Sequence, residues 1–155
     1  MLAKAKSYSL TGLDGFAVDV EVDVSAGIPA FETVGLPDAS VKESKERVRA
    51  AIKNSGKKFP AAKVTVNLAP ADVKKGGSGL DLPIAVGIIK AAGNNDFNAD
   101  ISDVVLLGEL SLDGSLRGNT SDAIVGKKSG VHKIHRSVKQ CERSEFYRRY
   151  IRLRS

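Results

Sequence analysis

Val18, Val20, Val22 and Val24 alternate with Asp19, Glu21 and Asp23 in strict period two. Successive side chains of a strand point to opposite faces, so residues 16–24 read as a strand with valines inward and carboxylates in water. Residues 3–10 read as its hairpin partner, joined at Leu13-Asp14-Gly15, because Asp-Gly supplies the positive φ angles of a tight turn. Three acids on one face lack a fourth ligand from elsewhere, so that face reads as solvated and not as a metal site. After Gly27-Ile28-Pro29 a short strand runs from Phe31 to Val34, and Gly35-Leu36-Pro37-Asp38 leads into a helix reaching about Ser55. Asp38 or Ser40 can cap its first amides, and Val41, Val48, Ala51 and Ile52 make one apolar stripe. Glu43 and Arg47, like Lys42 and Glu46, stand four apart, so Lys45, Arg47, Arg49 and Lys53 read as a wet helix face more than as phosphate contacts. Lys63 to Leu68 alternates again, Leu80 to Ala92 is an apolar helix, and Asp103 to Leu112 holds the run Val104-Val105-Leu106-Leu107 before a second turn at Asp113-Gly114. The order ββ, β, α, β, α, β predicts an α/β fold, an α+β two-layer domain with a mixed sheet and helices packed on one face.

Lys74-Lys75-Gly76-Gly77-Ser78-Gly79 is the most unusual local segment. Glycines let backbone amides approach a ligand closely, and the loop opens into a helix whose N-terminus favours negative charge. It is not a phosphate loop, because no Gly-Lys-Ser/Thr follows at the required spacing; Gly126-Lys127-Lys128-Ser129 fails the same test. Ser78 is the one candidate nucleophile. The simpler reading gives it a structural role, a small residue in a tight turn that caps the helix at Leu80.

Composition adds boundaries. The 155 residues suffice for one core. No run approaches the length of a membrane span and the first residues lack a secretion signal, so a cytoplasmic protein without membrane contact is expected. One cysteine, Cys141, and two histidines, His132 and His135, supply neither a disulfide nor a zinc set. The net charge of +6 suggests nucleic acid until it is divided along the chain. Residues 1–117 carry 14 Lys/Arg against 15 Asp/Glu, whereas residues 118–155 carry 10 against 3. Two regions follow, a neutral domain over 1–117 and a basic tail over 118–155.

Val34-Gly35-Leu36-Pro37-Asp38, Val41-Lys42-Glu43-Ser44, Arg47 to Gly56, Val66-Asn67-Leu68-Ala69-Pro70-Ala71-Asp72 and Gly108-Glu109-Leu110-Ser111-Leu112-Asp113-Gly114 occur in this order. Together they resemble the N-terminal domain of the magnesium-chelatase-related AAA+ proteins of the ComM/YifB type, over about residues 1–117. The resemblance implies the fold shared by ribosomal protein S5 domain 2 and the Lon proteolytic domain, with its C-terminal part incomplete here. It implies a non-catalytic accessory domain of an ATPase that handles DNA, including branch migration in transformation. DNA would be met through the full-length protein, and assembly into a ring would need the AAA+ module. ATP and magnesium are implied for the full-length family member alone, with no cofactor and no metal in this chain. In Lon proteases a serine of the equivalent loop is the nucleophile and a lysine its base. That lysine is typically missing from the ComM type, and Lys127 and Lys128 are the nearest in sequence to its expected place. A Ser/Lys peptidase built on Ser78 is thus the alternative, and a small DNA-binding protein acting through its tail is a third.

The tail departs from the family pattern after Arg117. One synonymous codon spelling of Ile134 to Arg154, read one base later, yields a hydrophobic strand, a proline, a polar turn and an amphipathic stretch, as the family's continuation would. Gly126 to Lys133 already resembles the family. Out-of-frame translation of about 118–125 and of 134 onward is therefore expected, and the gene sequence decides it. As a functional arm, the tail would set Arg148, Arg149, Arg152 and Arg154 on phosphates and stack Tyr147 and Tyr150 on bases.

Overall fold

In the computed structural model, residues 1–11, 14–93, 100–102 and 104–117 are described. The first hairpin joins β1 (Leu2–Thr11) to β2 (Asp14–Ser25) in an unbroken antiparallel register from Leu2–Asp23 to Thr11–Asp14. The Asp-Gly pair expected to form the turn at 13–15 lies in β2 instead, with Asp14 paired to Thr11 and Gly15 to Leu10. β3 (Ala30–Val34) then runs parallel to β4 (Lys63–Ala69), with α1 (Ala39–Asn54) as the crossover that parallel strands require. The sheet order is β1-β2-β4-β3, and β4 pairs antiparallel with β2, so the sheet is mixed.

Period two sorts the sheet's faces as expected. Val18, Val20, Val22, Val64, Val66 and Leu68 are inaccessible to solvent, and they share one core with Val41, Val48, Ala51 and Ile52 of α1 and with Ile84 and Ile88 of α2 (Asp81–Ala91). Both helices therefore cover the same face, giving two layers. The other face carries Asp19, Glu21 and Asp23, with Glu21 held by Lys4 at 2.9 Å and by Asn67 at 2.9 Å. Lys4 and Asn67 keep the Glu21 carboxyl below the usual carboxylate range. The inward face of β1 is built from Ala3, Ala5, Ser7 and Ser9, small enough to let α2 lie close. The same closeness explains Gly87 in α2, where a Cβ would stand 2.6 Å from Val22 Cγ2.

Two expectations change. The run Val104 to Leu107 is largely buried but forms no strand of its own; Val105 makes a parallel bridge to Lys6 at the β1 edge. Pairing is delayed to β5 (Glu109–Leu110) and β6 (Leu116–Arg117), a short antiparallel pair closed by the turn at Asp113-Gly114. The helix expected from Leu80 begins one residue later, behind a 3-10 turn over Ser78–Leu80. No described helix is long and apolar enough to cross a membrane. Cys141, the histidines, Lys127, Lys128 and the arginines and tyrosines of the tail lie outside the described residues.

Candidate functional site

The glycine-rich loop is stitched into its surroundings residue by residue. Lys75 sits in extended backbone beside Pro37: its amide donates to the Leu36 carbonyl at 3.0 Å, and the Asp38 amide donates to the Lys75 carbonyl at 2.9 Å. Ser9 of β1 donates its hydroxyl to the Gly76 carbonyl at 3.2 Å and accepts the Gly76 amide at 3.4 Å. A Cβ at Gly76 would fall 2.6 Å from Asp38 Oδ2, and Gly77 takes φ +88, so neither position suits a larger residue. The Gly77 amide donates to Ser40 Oγ at 3.0 Å, and the Gly108 amide donates to the Gly79 carbonyl at 2.9 Å.

Asp38 is the N-cap of α1. Its Oδ1 accepts the Val41 amide at 2.9 Å and the Ser40 hydroxyl at 2.8 Å. Partial burial works against ionisation, yet these donors and the Gly77 amide hold its carboxyl below the ordinary range. Of the two expected caps, Asp38 takes the role, and Ser40 turns its oxygen to the loop.

Ser78 does not cap the helix. Its hydroxyl donates to Glu109 Oε2 at 2.5 Å, tying the loop to β5, and the 3-10 turn has no side-chain cap. The nearest lysine along the loop, Lys75, is fully buried, and its Nζ has no hydrogen-bond partner, so this amine does not rest on Ser78. Burial pushes the Lys75 amine below its usual pKa, against the opposing pull of Asp72. Ser7 Oγ, on the buried face of β1, is a second enclosed atom without a partner.

The strongest polar cluster was not singled out in the sequence. Asp81, wholly buried at the start of α2, accepts from Ser44 Oγ at 2.5 Å, Arg47 Nε at 2.7 Å, Arg47 Nη2 at 3.1 Å and the Leu110 amide at 3.1 Å. Arg47 Nη2 also donates to the Ser40 carbonyl at 3.0 Å. Arg47 is therefore a buried-side anchor of α1 and not part of its wet face; its side chain is 22% exposed. The Asp81 carboxylate raises the Arg47 pKa further, and Glu109 adds to the effect through space. Ser44, on the Val41–Val48 stripe and four residues before Val48, was the available sign that this face meets a polar group.

The outcome is a cross-link of α1, α2 and β5 around one buried carboxylate, with Ser78–Glu109 as a second tie between loop and β5. An open cavity of about 400 Å³ lies beside the loop, lined by Leu10, Thr11, Asp38, Asp72, Val73, Lys74 and Gly76. Ser78 is not in its wall.

Comparison with known proteins places this arrangement. The family model described as ChlI, subunit ChlI of Mg-chelatase, matches residues 20–135, running past Arg117. YifB of Salmonella typhimurium is 45% identical over 117 residues, covering 76% of this chain and 23% of the relative. YifB of Escherichia coli is 47% identical over 107 residues, 69% of this chain and 21% of the relative. The competence protein ComM of Haemophilus influenzae is 44% identical over 117 residues, 76% of this chain and 23% of the relative. This chain thus spans less than a quarter of the length of these relatives. It belongs to the Mg-chelatase ChlI-subunit family, in the ComM/YifB type.

Proposed function

We propose that the chain is a non-catalytic accessory domain of a ComM-type AAA+ ATPase, on the Lon-like scaffold, serving ATP-dependent DNA processing such as branch migration in transformation. The observation that carries the non-catalytic part is the Ser78–Glu109 hydrogen bond. A serine nucleophile of the Lon kind needs a neutral amine as its base, and a carboxylate is a far weaker one. The Glu109 carboxylate also lies in the field of the Arg47 guanidinium, which favours its role as an acceptor held in place.

The donor set argues in the same direction for the nucleotide. Among the described residues no three His, Cys, Asp or Glu gather into a metal site, and the glycine loop lacks the phosphate-loop spacing. In this reading turnover of ATP belongs to the part of the family protein that this chain does not span. The name of ComM, a competence protein, supports the DNA-handling setting.

The test is catalysis by the isolated chain. Neither ATP hydrolysis nor cleavage of unfolded casein is expected, and Ser78→Ala should change neither. Casein cleavage abolished by Ser78→Ala would establish the Ser-centred peptidase instead; ATP turnover by the pure chain would equally refute the proposal.

A further inference from the structure

Buried polar atoms are almost always hydrogen-bonded, so one that is not calls for a physical reason. Lys75 Nζ and Ser7 Oγ are two such atoms among the described residues. Lys74 and Gly76 line the open cavity, whereas Lys75, between them in extended backbone, is fully enclosed. Successive side chains of an extended segment alternate in direction, so Lys75 turns from the cavity to the interior. Gly76 meets Ser9 on the inward face of β1, and Ser7 is the next residue on that face, about 7 Å along the strand. That separation is of the order of a lysine side chain's length. Val105 and Leu106, both buried, close the β1 edge at Lys6, beside Ser7.

The carboxylates around the loop are committed elsewhere. Asp38 accepts from Val41 and Ser40, Asp81 from Ser44, Arg47 and Leu110, and Glu109 from Ser78. Asp72 pulls on the Lys75 charge through space, yet it stands in the cavity wall and accepts no hydrogen bond from the amine. A buried ammonium without a partner is costly, and the backbone gives it little room to relax. The Lys75 amide and carbonyl are bonded to Leu36 and Asp38, and Gly76 is bonded to Ser9. An ammonium offers donors alone, and a hydroxyl adds one more. Such a pair repels a metal ion and selects an anion, which enclosure limits to a small, singly charged one. A water molecule would bring no compensating charge.

We propose that Lys75 Nζ and Ser7 Oγ together bind a small monovalent anion, chloride in ordinary solution, between the glycine-rich loop and the inward face of β1. The anion supplies the missing counter-charge, and the pinned loop holds the amine ready for it. The unpartnered amine lowers the stability of the free chain, and the bound anion offsets that loss. The site is independent of the accessory-domain reading.

Urea unfolding of this chain tests it, in sodium chloride and in sodium gluconate at equal ionic strength, the gluconate ion being too large to be enclosed. Chloride at about ten times its dissociation constant should raise the folding equilibrium constant about tenfold, and the effect should saturate in proportion to site occupancy. Lys75→Met, which is expected to fold at least as stably, should abolish the difference between the salts, and Ser7→Ala should weaken it severalfold. With bromide in place of chloride, crystals of this chain should show an anomalous scattering peak within hydrogen-bonding distance of both Lys75 Nζ and Ser7 Oγ. Equal stability in the two salts overturns the proposal. A chloride effect that survives in Lys75→Met also overturns it, since that would be a general salt effect. An effect untouched by Ser7→Ala, or bromide found only at other positions, overturns it as well.

Discussion

A buried charge survives where every lone pair is used, and Asp81 and Lys75 stand at the two extremes of that rule. Asp81 accepts four hydrogen bonds, two of them from the Arg47 guanidinium, whereas the Lys75 amine has none. Asp81→Ala should cost about 3–5 kcal/mol in urea unfolding, because it strands the Arg47 charge against the core. Lys75→Met should act in the opposite direction, raising stability at neutral pH by about 1–3 kcal/mol by removing an unsatisfied polar group. The pH dependence fixes the mechanism. Burial sets the folded pKa of Lys75 below that of a free lysine, so between the two the unfolded chain binds more protons, and stability rises with pH across that window. The rise should be absent in Lys75→Met when unfolding free energies are measured from neutral to alkaline pH; an unchanged slope would assign it to another group.

Elements were legible wherever one periodicity ran unopposed. Val18 to Val24, Lys63 to Leu68 and the stripe of α1 met their expected faces because a half-buried strand or helix leaves its period in the composition of each side. The buried run at 104–107 carries no period, and the backbone there bridges β1 at a single residue instead of pairing as a strand. The polar ties were less legible for a different reason. Ser78–Glu109 and Arg47–Asp81 join residues over 30 positions apart, and local spacing paired Arg47 with Glu43 instead. Close approach of backbone segments is likewise a tertiary matter. Gly35 shows it best: Gly35→Ala places a methyl 2.1 Å from the Leu68 carbonyl oxygen at a φ of +96. A loss of about 3 kcal/mol or more is expected in thermal or urea unfolding, with Gly56→Ala, whose Cβ position is open, as the milder comparison at positive φ.

At the scale of the molecule, charge divides the chain more sharply than structure does. Residues 1–117 are nearly neutral, and the outward sheet face carries Asp19, Glu21 and Asp23, of which Glu21 is held by Lys4 and Asn67, leaving little positive field to attract phosphate. DNA binding that weakens with salt should therefore vanish when the chain is cut after Arg117, as fluorescence anisotropy at two ionic strengths would show. Binding retained by residues 1–117 would relocate the contacts to the folded part.

The carboxylate knot also bears on the order of assembly. Hairpin β1–β2 closes between neighbours in sequence, but the Asp81 contacts must wait for α1, α2 and β5 to arrive together from three separated stretches. A latch of such long-range contacts is expected to close late, after the rate-limiting barrier of folding. A chevron plot of Asp81→Asn should accordingly keep the wild-type refolding limb and shift the unfolding limb to faster rates, so that the latch governs how long the native state lasts and not how soon it is reached.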